Sequence, residues 1–292
     1  MTSAVEGAID TTAPLGVFDS GLGGLTVVHA LRAAVPAESI VYLGDTARVP
    51  YGTRSAETVI NYALGCSRLL LDRGVKSLVI ACNTVSAVAL DMLRAEFDVP
   101  VIGVVEPGAQ AACAAAAKIG NQQSGAVKIG VLGTQSTIAS GAYTRAVSQF
   151  STRFEVISRA APLLVPLVEE GWVTGQVPRL AVERYLTPLI EAGISVLVLG
   201  CTHYPLLRGM ITEVARELAG KEILVVDGAM ATATAVQALL TDRNLKAPSG
   251  AGTLELLVTD LPASFADSAT RFLGEQVGEV TQVDLGAPRR VG

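Results

Sequence analysis

The chain has 292 residues, half of them hydrophobic and only 17% charged, with a formal net charge of −5. That length suits about two domains with a sizeable core, and that balance of apolarity and charge excludes an intrinsically disordered chain. Apolar runs such as 111–117 and 196–199 fall far short of the roughly 18 residues a membrane helix needs, and no dense Lys/Arg run offers a phosphate backbone a partner, so neither a membrane nor a nucleic acid is expected to bind.

In chain order, residues 1–13 carry no Lys or Arg and no apolar stretch, and read as a frayed tail rather than a secretory signal. Gly16-Val17-Phe18-Asp19 is a short apolar strand that stops at polar residues and glycines, and 24–35 reads as a helix. A strand over 40–44, a loop through Pro50 and Gly52, and a helix over 55–73 follow. Residues 78–81 are a buried strand, 83–97 a helix and 100–105 another strand. Continuous apolar strands alternating with helices predict parallel sheets covered on both faces.

The order then restarts. Ile129-Gly130-Val131-Leu132-Gly133-Thr134 resembles Leu15-Gly16-Val17-Phe18-Asp19-Ser20, and Ser195-Val196-Leu197-Val198-Leu199-Gly200-Cys201-Thr202 resembles Ser77-Leu78-Val79-Ile80-Ala81-Cys82-Asn83 with one extra residue. Buried strands often look alike, but a shared cysteine before a small polar residue favours two similar halves. Strands over 222–227 and 253–260 exceed a simple duplication, so one half receives extra elements. The expected fold class is α/β: two similar domains, each a mainly parallel sheet flanked by helices, with the active site in the cleft between them.

The four cysteines, at 66, 82, 113 and 201, form no close pairs, which indicates free thiols and a cytoplasmic protein. Cys66 and Cys113 fall within helices and read as inert core thiols. Cys82 and Cys201 lie where an apolar strand gives way to a helix, at the carboxyl edge where ligand crevices form and where a helix N-terminus favours thiolate. Asp19, Ser20, Asn83, Thr84, Thr134 and Thr202 end or follow the same strands. Such residues often serve only as helix caps, but here they converge with backbone N–H groups in a way that suits a carboxylate ligand. His203, two residues after Cys201, can exchange a proton with a substrate or a thiol, whereas His29 sits in the first helix as a structural residue.

Several cofactor motifs fail. Gly21-Leu22-Gly23-Gly24-Leu25-Thr26 begins as a dinucleotide fingerprint but has Thr26 where the third glycine belongs, and no P-loop occurs. Lys76, Lys128 and Lys221 precede strands, and Lys118 and Lys246 fall near helix ends, so no lysine is placed for a pyridoxal Schiff base. Cys201 and His203 alone are too few for a metal. What remains is a cofactor-free enzyme with two thiols, one removing a proton from a carbon acid and the other returning one to the opposite face.

These residues resemble the glutamate racemases, of the aspartate/glutamate racemase superfamily. The matches are Gly16-Val17-Phe18-Asp19-Ser20-Gly21-Leu22-Gly23-Gly24-Leu25-Thr26, Gly44-Asp45-Thr46-Ala47-Arg48-Val49-Pro50-Tyr51-Gly52, Ala81-Cys82-Asn83-Thr84-Val85-Ser86-Ala87, Gly130-Val131-Leu132-Gly133-Thr134, Pro166-Leu167-Val168-Glu169 and Gly200-Cys201-Thr202-His203-Tyr204-Pro205-Leu206. Val85 departs from the alanine more usual there. The resemblance implies interconversion of L- and D-glutamate without pyridoxal phosphate or metal, supplying D-glutamate for peptidoglycan. It implies that Cys82 takes the α-proton of D-glutamate, assisted by Asp19, and Cys201 that of L-glutamate, assisted by His203 with Glu169. Asp19, Ser20, Pro50, Tyr51, Gly52, Asn83, Thr84, Thr134, Thr202 and His203 would hold the substrate. It also implies a first domain of residues 1–105 plus 225–292, a second of 106–224, and a possible homodimer. A racemase acting on aspartate or another acid, and a non-enzymatic two-domain binding protein, remain as alternatives; the latter gives no reason for two matched cysteines.

Overall fold

The computed structural model describes residues 9–120, 127–263 and 265–285. Two parallel sheets carry the architecture. In the larger, β1 (Leu15–Asp19) lies between β2 (Ile40–Gly44) and β3 (Ser77–Ile80), with β4 (Val101–Gly103) outside β3 and β9 (Leu254–Val258) then β10 (Val280–Gln282) outside β2. In the smaller, β5 (Lys128–Gly133) lies between β6 (Glu155–Ala160) and β7 (Val196–Gly200), with β8 (Leu224–Asp227) outside β7. Every neighbouring pair is parallel. β1, β3 and β7 are buried along their whole length, which is why they read as continuous apolar runs.

The runs β2-β1-β3-β4 and β6-β5-β7-β8 have the same spatial order. Each lays its second strand on one side of the first and its third on the other. The connections leave in opposite directions, so a crevice opens at the carboxyl ends of the first and third strands. The strands flanking those two crevices end at Asp19 and just before Cys82 in one sheet, and just before Thr134 and Cys201 in the other.

The helices are α1 (Leu25–Ala34), α2 (Ala56–Asp72), α3 (Asn83–Val88), α4 (Leu90–Glu96), α5 (Val105–Gly120), α6 (Gln135–Ala139), α7 (Ala142–Phe150), α8 (Leu164–Glu169), α9 (Gln176–Glu191), α10 (Arg208–Ala219), α11 (Gly228–Asp242) and α12 (Phe265–Leu273). Side-chain caps mark several starts: Ser55 accepts from Thr58 N, Thr134 from Thr137 N, and Asp227 from Ala229 N. One apolar core runs from α1, α11 and α12 into α8, α9 and α10, and so joins the two lobes along one face. A second lies under α2 and α4, and a third under α5 and α7.

Some boundaries differ from the sequence pattern. The helix expected over 83–97 breaks at Ala89 (φ −119°) into α3 and α4. Ser86 Oγ donates to Ile80 O (2.9 Å) and accepts from Val104 N (3.1 Å), holding α3 against the strand ends. The strand expected over 100–105 is three residues long, because Val105 already begins α5. β8 pairs with β7, so the chain leaves the smaller sheet only after Asp227, three residues beyond the expected division at 224/225. β9 and β10 then return to the larger sheet. Of the expected frayed tail, residues 1–8 lie outside the described residues, whereas Ala13 N donates to Asp10 O (3.2 Å) and Lys76 Nζ to Thr11 O (2.6 Å). Lys76 also forms a buried ion pair with Glu38, which occupies it far from any crevice.

Candidate active site

Both crevices open on one cavity of about 300 Å³. From the first lobe, the turn after β1 presents Ser20 and Gly21. Asp19 Oδ2 accepts from Gly21 N (2.9 Å), and Tyr42 OH donates to Gly21 O (2.7 Å). The glycines that follow are required by close approach: a Cβ on Gly24 would crowd Ala81 Cβ at 3.1 Å, and one on Gly23 would come within 2.7 Å of His203 Nδ1 in the second lobe. Thr26, which spoils the dinucleotide pattern, donates from Oγ1 to Gly23 O (2.9 Å) and Thr202 O (3.1 Å). The turn is thus an inter-lobe contact.

The loop after β2 is held from below by Asp45, which is fully buried and accepts from Arg48 Nε (2.7 Å), Thr259 Oγ1 (2.9 Å) and the Tyr51 hydroxyl. This places Val49, Pro50, Tyr51, Gly52 and Thr53 on the cavity wall. Ser136 Oγ donates to Gly52 O (2.7 Å) from the other lobe. Two further contacts close the seam: Thr84 Oγ1 bonds Thr134 Oγ1 (2.9 Å), and Tyr143 OH donates to Asn83 Oδ1 (2.7 Å).

Cys82 lies two residues beyond β3 at the N-cap position of α3, without a side-chain capping bond, its Sγ 3.5 Å from Ser20 Oγ. Burial, followed by the negative charge of Asp19, pushes its thiol up to about 12, despite the lowering effect of Ser20 and the Val85 N–H. The expectation that a helix start favours thiolate is therefore outweighed here. Asp19 itself is pushed above the usual carboxylate range by burial, although His203 and the N–H groups of Gly21, Gly24 and Ser20 oppose that shift.

Cys201 has a different setting. No α-helix begins there; a single 3₁₀ turn, Tyr204–Leu207, precedes α10. His203 Nδ1 lies 3.8 Å from Cys201 Sγ and 3.3 Å from Thr202 Oγ1, and His203 Nε2 lies 3.1 Å from Glu169 Oε1. Burial disfavours the imidazolium, but its hydrogen bonds to Cys201 and Glu169 and their negative charges prevail and push it up to about 10.

Of the residues singled out from sequence, Cys82, Cys201, Glu169, His203, Ser20, Pro50, Tyr51, Gly52, Asn83, Thr84, Thr134 and Thr202 all line the cavity. Asp19 is buried beneath that lining. The lining also includes Gly21, Val49, Thr53, Gln135, Pro162, Val165 and Pro166, which sequence reasoning did not single out as site residues. Gln135 is adjacent to Thr134, and Pro166 opens the quoted Pro-Leu-Val-Glu run. Pro162 and Val165 follow β6, an edge strand with polar residues that gives no apolar signal. His29 bonds the Leu273 carbonyl through Nδ1 (2.8 Å), the structural part expected of it. Cys66 in α2 and Cys113 in α5 are buried away from the cavity. Among the described residues no cluster of three or more His, Cys, Asp and Glu is placed to hold a metal, and no helix is long and apolar enough to cross a membrane.

Fold and site define a two-lobed α/β protein in which thiols from equivalent strand ends share a cavity with an imidazole bonded to a carboxylate. The family model for Asp/Glu/Hydantoin racemase matches residues 23–236, well over half of the chain. The chain belongs to that family, as an isomerase of the racemase class. It is 46% identical over 276 residues to a glutamate racemase of Geobacter metallireducens, an alignment covering 94% of this chain and 98% of the relative. The structure of Francisella tularensis glutamate racemase in complex with D-glutamate superposes with a TM-score of 0.84 at 32% identity, covering 94% of this chain and 99% of that one. Thermus thermophilus glutamate racemase in complex with β-chloro-D-alanine superposes with a TM-score of 0.81 at 43% identity, covering 94% and 98%.

Proposed function

We propose that the protein interconverts L- and D-glutamate by two-thiol proton transfer at the α-carbon. The observation that carries this reading is the pair Cys82 and Cys201, at equivalent points of two identical strand orders and lining one cavity. In the L-to-D direction the Cys201 thiolate takes the α-proton, leaving a carbanion. The Cys82 thiol then delivers its own proton to the opposite face and becomes the thiolate. The reverse direction exchanges the roles. His203, held charged by Cys201 and Glu169, assists the Cys201 side; Asp19 assists the Cys82 side.

Among the described residues, no Arg or Lys lines the cavity. In this reading the substrate carboxylates rest on hydroxyl, amide and backbone N–H donors from Ser20, Tyr51, Gly52, Asn83, Thr84, Thr134 and Thr202, with Pro50 shaping the loop and Asp19 and His203 supplying the nearby charges. Such neutral donors orient an anion without neutralising it outright. Neither pyridoxal phosphate nor metal takes part in this scheme. D-Glutamate made this way serves peptidoglycan synthesis, which places the enzyme in the cytoplasm. The domain division is 1–105 plus 225–292 around 106–224, with the pairing of β8 favouring Asp227 as the return point.

Incubation with L-glutamate in deuterated water, without added cofactor and after dialysis against a chelator and treatment with a carbonyl trap, tests the reading. D-Glutamate carrying α-deuterium is expected. Turnover of L-aspartate instead, binding of glutamate without exchange, or activity restored only by pyridoxal phosphate would each overturn it.

A further inference from the structure

We propose that α12 positions the proton-handling pair of the Cys201 side, with Arg271 seating the end of α8 that carries Glu169 and Phe272 fixing the His203 ring. The proposal rests on the reading of His203 and Glu169 as assistants of Cys201. Arg271 and Phe272 act through other residues, and are positioning rather than catalytic groups.

Three observations converge on α12. Arg271 Nη2 donates to Glu169 O (2.8 Å) and to Ser268 Oγ (3.1 Å) within its own helix, so the guanidinium is braced before it reaches α8. It lies against the turn that follows: Gly171 has φ +77°, and a Cβ there would run into Arg271 Nη1. The ring of Phe272, buried, meets His203 edge-on, with centroids 5.1 Å apart and planes at 78°. α12 is itself fixed to the first lobe, since His29 Nδ1 bonds Leu273 O (2.8 Å) and Phe265 and Ala269 are buried in the shared core.

An arginine on the last carbonyl of a helix commonly does no more than complete a C-terminal cap. Here the capped residue carries the carboxylate that bonds His203, and the next residue of α12 packs on the other partner of that bond. His203 is faced by Cys201 from the end of β7, by Glu169 from α8, and by the charge of Asp19 from the end of β1. Of these, α12 touches the α8 side. Loosening it should disturb one thiol and spare the other.

The test uses the full chain with Arg271→Ala, Arg271→Lys and Phe272→Leu, and reads each thiol separately. In α-deuterated substrate, Arg271→Ala is expected to lower kcat on the order of 10-fold with a smaller change in KM. The primary isotope effect should rise from L-glutamate and fall from D-glutamate, with partial recovery in Arg271→Lys. Independently of any turnover, the pH profile of iodoacetamide alkylation should move at Cys201 and stay fixed at Cys82, read peptide by peptide. If Arg271→Ala does not fold, Phe272→Leu and Arg271→Lys carry the same readouts. A lower melting temperature with isotope effects and both alkylation profiles unchanged, or both thiols shifting together, overturns the proposal. Should Cys82→Ser racemise at the parental rate, the two-thiol reading falls instead, and the Cys201 alkylation profile alone decides whether α12 positions His203.

Discussion

Cys82 and Cys201 leave the same point of the same strand order, yet they sit in unlike surroundings. Cys82 has a carboxyl group beneath it and a serine beside it; its thiol is pushed up to about 12. Cys201 has an imidazole held charged by its own sulfur and by Glu169. A repeated topology therefore supplies two strand ends on one cavity, while the residues one or two positions away set different electrostatics at each. The site stands ready with an acid on one side and an ion-paired group on the other.

The strongest way to break that comparison is to remove one thiol at a time. Cys82→Ser and Cys201→Ser should each lower racemisation by roughly 10³-fold, the scale of a lost general acid–base group. Elimination of a β-leaving group from a substituted glutamate needs only one proton abstraction, so one enantiomer should still react in each variant: the L form in Cys82→Ser and the D form in Cys201→Ser. Assays of both enantiomers with both variants check this. The same enantiomer preference in both, or parental racemisation in either, contradicts two opposed thiols.

Changing the partners should give a smaller and directional effect. Asp19→Asn and His203→Asn are each expected to slow turnover about 10- to 100-fold. The equilibrium fixes the ratio of kcat/KM values, so the asymmetry belongs in the isotope effects. They should respond more strongly from D-glutamate in one variant and from L-glutamate in the other. Asp19→Asn should also make Cys82 alkylate at lower pH, because the neighbouring negative charge is the second cause of its raised value. Equal isotope effects for both variants in both directions would erase the distinction between the corners.

The contrast was only partly legible in the sequence. Apolar strands ending at Cys82 and Cys201 mark both crevices, because strands buried on both faces have no polar alternation to hide them. The partners of Cys201 were readable only through the resemblance for Glu169, which lies 34 residues from His203 in the chain. Residues of β6 and β10 escaped notice because edge strands this polar or this short give no periodic signal. At the break at Ala89, Ser86 ties the first piece to Ile80 and Val104, contacts between separate elements that the segment's own residues do not carry. Burial also reversed the simple dipole argument at Cys82, a balance that no local run of residues expresses.

Stability against pH sharpens the comparison at the level of a few kcal/mol. His203 holds its proton to about 10 in the fold, whereas an unfolded imidazole releases it near 6.5. Between those values the native state binds more protons, so stability is full below about 6.5 and falls as pH rises through the window, by about 1.4 kcal/mol per unit. Unfolding in denaturant at pH 7 and pH 9 should show parental stability dropping by about 2–3 kcal/mol more than that of His203→Asn. Cys82, raised from 9 to about 12, has the same sign in a later window, so its contribution is lost above pH 9. A drop equal in parent and His203→Asn variant would place the alkaline sensitivity outside the Cys201 corner.

The smallest effects belong to the two thiols that face no crevice. Cys66 is buried in α2, with Arg48 Nη2 3.6 Å from its sulfur, and burial, then Asp45, raises its thiol. Cys113 is buried in α5 with Sγ 4.0 Å from Val147 O, and burial alone raises it. In Cys66→Ser and Cys113→Ser, Arg48 Nη2 and the Val147 carbonyl, 3.6 and 4.0 Å from the two sulfurs, fall outside hydrogen-bond reach of a serine Oγ, carried on a shorter bond to Cβ, without movement of its surroundings. Each change leaves a smaller, more polar side chain without a good partner in a packed core, a loss of stability of about 1–3 kcal/mol. Neither variant should alter the isotope effects or the enantiomer preference in elimination, because neither sulfur reaches the cavity. Cys66 is the more exacting of the two, since its neighbours Arg48 and Tyr51 belong to the network that supports the Pro50–Gly52 loop. If Cys66→Ser raised KM while leaving kcat and the isotope effects as in the parent, the loop would be confirmed as a binding wall and Cys66 as its support. If it shifted the isotope effect from one enantiomer, a third thiol would be in the proton path, and the contrast between two corners would have to be replaced by one among three.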